Sequence, residues 1–116
     1  MTKIQLPHLA PLKFAQNILQ KDEKTARVSL EFGMVPSLAM LVEAAAQSSA
    51  AFKSEDNESA YLVSLKNIKL LQKPSQENLE VFIVDEHRLD KMRYVGFEIF
   101  EKEVSVATGT LVIAVH

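Results

Sequence analysis

The 116-residue chain contains no cysteine. That excludes a disulfide framework, a thiol nucleophile and a thiolate metal site together. An excess of basic charge is also missing: 13 Lys and Arg stand against 15 Asp and Glu, a net charge of −2. Without a positive field there is little attraction to a phosphate backbone, and nucleic-acid binding is not expected. There is no long hydrophobic run either. The most apolar stretch, Leu38 to Ala46, contains Glu43 and falls well short of the about 20 residues that cross a bilayer, so no membrane span is expected. The opening MTKIQLPHLAPLKF carries Pro7 and Pro11 and no apolar core of signal-peptide length, which leads us to expect a cytoplasmic protein. Internal repeats, linkers and low-complexity segments are lacking too, and we expect one domain over residues 1–116.

What is present is an ordinary globular balance, 47% apolar and 24% charged. Ala26 to Phe32 sets Val28, Leu30 and Phe32 on one face and Arg27, Ser29 and Glu31 on the other, the alternation of a half-buried strand. Gly33 ends it. A helix then starts at Pro36 and Ser37, with the serine as N-cap or the proline in the first turn. From Leu38 to Phe52 the sequence LAMLVEAAAQSSAAF holds six alanines and neither glycine nor proline. A surface helix carries a charged face; this one is apolar nearly all round, so other elements must cover it.

Four strand-like segments follow the polar loop 53–59: Ala60 to Leu71, Leu79 to Asp85, Arg93 to Glu101 and Val104 to Val115. Their short polar connections (QKPSQEN, EHRLDK, EKE) suit antiparallel hairpins rather than helical crossovers. A strand, a long apolar helix and four more strands predict an α+β protein. A helix apolar on every side calls for a curved sheet wrapped around it, the hotdog arrangement; another α+β sandwich is the alternative.

Three stretches resemble the beta-hydroxyacyl-ACP dehydratase family, and in order they cover almost the whole chain. Leu6-Pro7-His8 with Pro11-Leu12 is similar to that family's L-P-H-x-x-P opening. Leu41-Val42-Glu43-Ala44-Ala45-Ala46-Gln47 is similar to the L-x-E-A-x-A-Q of its central helix. Leu65 to Lys69 through Pro74, with Gly109 to Ala114, is similar to its later strands. One element departs. Active members carry a G-H-F-P-G-type segment before the helix, and its histidine is the base. Here the segment from Ser29 to Ser37 contains no histidine, and Pro36 lies one residue further from Glu43 than the family's proline does. In this the chain looks more like the short, divergent dehydratase-like hotdogs of gene clusters for specialised acyl chains such as aryl polyenes.

The resemblance implies an acyl thioester on acyl carrier protein or CoA as ligand. It also implies a homodimer, a heterodimer with another hotdog subunit or a higher oligomer, with the site at the subunit junction, and neither cofactor nor metal. It makes Glu43 the catalytic carboxyl, with Gln47, Met40, Gly33 and Pro36 around the substrate. Residue chemistry adds its own argument. Glu43 is the only charged side chain between Leu38 and Phe52, and a buried carboxylate costs several kcal/mol, of order 3–5, unless it is paired, hydrogen-bonded or protonated. Gln47 stands one turn later and Met40 one turn earlier on the same stripe. The plainer alternative is a glutamate at the helix edge, capped by a backbone amide or a lysine.

His8 either holds the N-terminal turn or replaces the missing base across an interface. His87 lies in the charged segment EHRLDK and is expected to be solvated, His116 is the last residue, and no pair of histidines has metal-ligand spacing. Ser48 and Ser49 lack the glycine elbow and neighbouring histidine of a nucleophile. Lys66, Lys69 and Lys73 either meet an acidic carrier protein or form a solvated strand face. Three functions therefore stand open: a dehydratase-like protein, with or without a partner that brings the histidine; a hotdog thioesterase, in which a carboxylate alone activates water or attacks the thioester; and a non-catalytic acyl-binding hotdog.

Overall fold

The computed structural model describes residues 2–3, 13–52 and 60–115. The proposed opening motif with His8, the loop 53–59 and His116 lie outside the described residues. The described chain runs β1 (Thr2–Lys3), β2 (Ala15–Lys21), β3 (Thr25–Glu31), α1 (Leu38–Ser48) with a 3-10 turn at Ser49–Phe52, β4 (Ala60–Leu70), β5 (Asn78–Leu89), β6 (Met92–Glu101) and β7 (Val104–Val115). The strands form one antiparallel sheet in the order β1-β2-β3-β5-β6-β7-β4, with α1 packed on β2, β5, β6 and β7. This is the expected arrangement of a sheet curled around one long helix.

Alternation builds the inner face. Val28 and Leu30 of β3, Val81 and Ile83 of β5, Val95, Phe97 and Ile99 of β6 and Leu111 of β7 are all buried. Leu41, Ala44, Ala45 and Ser48 of α1 close onto them. Burying Leu41 completely stabilises the fold by about 1.5–3 kcal/mol, and the alanines beside it let the helix approach the sheet closely.

Ser37 is the N-cap, its hydroxyl accepting the N–H of Met40 at 3.3 Å. The helical segment reaches Phe52 as expected, but its last turn tightens after Ser48. Ser48 and Ser49 return their hydroxyls to the carbonyls of Ala44 and Ala46, at 2.8 and 2.6 Å. Such back-bonding competes with the main-chain ladder. Beyond it, the buried Arg93 donates to the Phe52 carbonyl at 3.4 Å and lies 3.9 Å from the Asp85 carboxylate.

Two differences from the sequence reading have clear causes. β2 was not expected, because AQNILQK shows no alternation. In the sheet it carries one extra residue between Ala15 and Ile18 and another between Ile18 and Gln20, relative to β3. Each bulge inverts the side-chain pattern, and the period of two is lost. Ser29 fills the first bulge, accepting from the Asn17 N–H at 3.1 Å and donating to its carbonyl. Secondly, β5 runs on through the charged segment to Leu89, and only Asp90 and Lys91 make the turn. His87 is thus a strand residue, exposed as expected, its ring edge-on to Tyr94 with centroids 4.8 Å apart. No helix among the described residues is long and apolar enough to cross a membrane.

Candidate functional site

The sheet covers α1 on one side only. Leu38 and Ala39 are exposed, and Met40, Val42, Glu43 and Ala46 are half-buried. β4 projects past the helix, so Tyr61, Leu62, Val63, Leu65 and Leu70 are exposed although most are large and apolar. The helix expected to be apolar nearly all round carries Glu43 and Gln47 as its polar side chains before Ser48, and among the described residues the sheet does not enclose it. The open face of α1 is where Glu43 sits.

Glu43 is not left to solvent. The Gln47 side chain, one turn on and 4% exposed, donates its amide Nε2 to Glu43 Oε1 at 3.3 Å. The Gln47 Oε1 in turn accepts the backbone N–H of Phe14 at 2.8 Å and of Ala15 at 3.1 Å. Two N–H donors can face only the oxygen of the amide, so the nitrogen has to face Glu43. The orientation of the pair is therefore set by the start of β2. Glu43 is half-buried, and among the described residues the side-chain amide of Gln47 is a partner of its carboxylate.

The other sequence candidates fall into two groups. Met40 lies half-buried on the same helix, one turn before Glu43, and Pro36 is buried just ahead of the N-cap. Gly33 is exposed with φ of +73°, a left-handed conformation that glycine adopts without strain, and it turns the chain from β3 toward α1. His8 lies outside the described residues. His87 packs on Tyr94, whose neighbours Arg93 and Val95 point inward, so it belongs to the outer face of the sheet, away from α1. Among the described residues no group of three His, Asp or Glu side chains converges to hold a metal ion. Sequence reasoning grouped Glu43 with Gln47 but missed Phe14 and Ala15, which take part through backbone N–H groups that no residue type advertises.

The lysines separate as well. Lys66 lies over the Tyr94 ring at 5.3 Å, and Lys69 lines a groove of about 390 Å³ on the outer face beside Glu86, Glu98 and Thr108. Positive charge is there interleaved with carboxylates rather than gathered into a patch.

No protein-family model matches the chain, and no curated protein does. Solved structures do share its fold. The HP0420 homologue from Helicobacter felis aligns with a TM-score of 0.75 at 19% identity, over 97% of this chain and 85% of that one. A hypothetical thioesterase with coenzyme A from Streptococcus pneumoniae aligns at 0.69 and 12% identity, over 86% and 84%. The dehydratase heterocomplex ApeI:P from Xenorhabdus doucetiae aligns at 0.65 and 11% identity, over 94% and 86%. At such identities the likeness establishes the fold: this chain is a hotdog.

Proposed function

We propose that this protein binds an acyl thioester at the open face of α1 and acts as a dehydratase-like hotdog with Glu43 as its carboxyl. The observation that carries this reading is the half-buried Glu43, oriented by Gln47 on the one helix face that the sheet leaves uncovered. In a dehydration, a base takes the C2 proton of a 3-hydroxyacyl thioester while an acid protonates the departing C3 hydroxyl, giving the 2-enoyl thioester and water. Glu43 suits the acid. The described histidine, His87, is on the wrong side of the sheet for the base. In this reading the base comes from His8 of a neighbouring subunit or from a second hotdog chain. Solved hotdogs named as a thioesterase with coenzyme A and as a dehydratase heterocomplex support the ligand class and the mode of assembly.

In this reading the subunit junction forms at β4, a strand of 11 residues that pairs, among the described residues, with β7 alone. Its other edge, which no described strand covers, and its exposed apolar side chains together make a template for another strand. β4 of a second copy, related by a two-fold axis, would continue the sheet and enclose the open face of α1.

The test is turnover by purified protein with a short 3-hydroxyacyl thioester, followed by enoyl absorbance. Dehydration that disappears in Glu43→Gln supports the proposal, and activity that needs a second hotdog subunit places the base there. A thioesterase has one observation in its favour, since no described histidine faces Glu43 and a carboxylate alone can serve that reaction. Free thiol released from acyl-CoA, with no enoyl product, would replace dehydration by hydrolysis. Neither activity across chain lengths would leave an acyl-binding protein.

A further inference from the structure

The Gln47 amide touches two things that the sequence does not connect: the backbone at the start of β2 and the Glu43 carboxylate. An amide side chain alone on a helix turns over freely, presenting either its oxygen or its nitrogen to a neighbour four residues away. Here the flip is blocked. Turning Gln47 over would point its NH₂ group at the N–H groups of Phe14 and Ala15, leaving two buried donors unpaired and setting oxygen against oxygen at Glu43. The cost of such a flip exceeds RT several-fold, so Gln47 holds one orientation.

We infer that Gln47 is a positioning residue for the reaction of Glu43, its single orientation set by the N–H groups of Phe14 and Ala15. The inference rests on the proposed role of Glu43. The carboxyl plane is fixed at Oε1 by a donor that is itself anchored in the sheet, so the reacting group enters the site already oriented. A reacting group misplaced by about 1 Å can lose about a hundredfold in rate. It also gives the start of β2 a part in the site, although it contributes no side chain to it.

Gln47→Glu separates anchoring from positioning. A glutamate of the same length keeps an oxygen for the Phe14 and Ala15 N–H groups but has no N–H for Glu43. The expected result is unchanged hydrogen-exchange protection at Phe14 and Ala15, with kcat for acyl-thioester turnover down about tenfold or more and KM altered less than threefold. Wild-type kcat with that protection intact would make Gln47 a structural clamp and overturn the inference. A second measurement does not depend on turnover: the side-chain ¹⁵N resonance of Gln47 followed through an acid titration. It should move with pH in the wild type and stay still in Glu43→Gln. A resonance that is still in both proteins overturns the inference. If the wild type turns over no thioester, the proposed function fails, and this titration still reports whether Gln47 holds Glu43.

Discussion

Gly109 of β7 faces Ile68 of β4 with no room for a side chain between them. A Cβ built on Gly109 would meet Ile68 Cδ1 and also lie 2.8 Å from the Phe97 ring. Ile68 follows Asn67, whose φ of +55° marks a bulge that gives β4 one extra residue opposite β7. The bulge turns Ile68 toward the core, and glycine is what the partner strand must supply opposite it. Gly109→Ala should therefore destabilise the fold by about 1–3 kcal/mol, as overpacking does, measured by urea denaturation. A variant as stable as the wild type would mean that β4 moves away easily.

Gln47→Leu removes the acceptor for two buried N–H groups. At about 1–3 kcal/mol for each unsatisfied donor, the loss should be about 2–6 kcal/mol in the same measurement, with the Phe14 and Ala15 amides exchanging faster. A loss below 0.5 kcal/mol, on the order of a surface substitution, would mean that the start of β2 rearranges to find other acceptors.

Glu101 clasps the β4–β5 connection. Its carboxylate accepts the Ser75 N–H at 2.5 Å, the Gln76 N–H at 2.7 Å and the Ser75 hydroxyl at 3.0 Å. Chiefly the Ser75 N–H, helped by its hydroxyl, by Gln76 and by Lys102, holds this carboxyl below its ordinary value of 4.5. The folded value lies below the unfolded one, so the stabilisation is present above 4.5 and is lost as the pH falls through the folded value. Asp22, held down first by the Thr25 hydroxyl, has the same sign. Glu101→Gln should flatten the acid side of the stability-pH curve and leave its slope near neutrality unchanged. Parallel curves for variant and wild type below 4.5 would contradict this.

The edge of β4 that no described strand covers predicts an assembly. Val63 and Leu65 are 53% and 44% exposed in the single chain. The protein should run at dimer mass in light scattering, and Val63→Lys or Leu65→Lys should shift it toward monomer by burying a charge in the paired edge. A wild-type monomer at tens of micromolar, about the concentration of such a measurement, would remove the homodimer and leave a second hotdog chain as the partner to seek.

The sequence by itself determined the local elements and their order. Period-two alternation marked β3, β5 and β6, a run rich in Val, Leu, Ile and Thr marked β7, Pro36 and Ser37 marked the helix start, and an alanine-rich run without glycine or proline marked α1. It also determined that Glu43 and Gln47 share a stripe, because residues four apart on a helix always do. Only the tertiary structure decided the rest. β2 stayed hidden because two bulges erased its period. The orientation of Gln47 depends on N–H groups more than thirty residues away, and backbone donors are the same in every residue but proline. The tertiary structure also decided that, among the described residues, the sheet covers the apolar helix on one side alone. Composition tells how much apolar surface must be buried; whether its own sheet or a second subunit buries it depends on how far the sheet reaches.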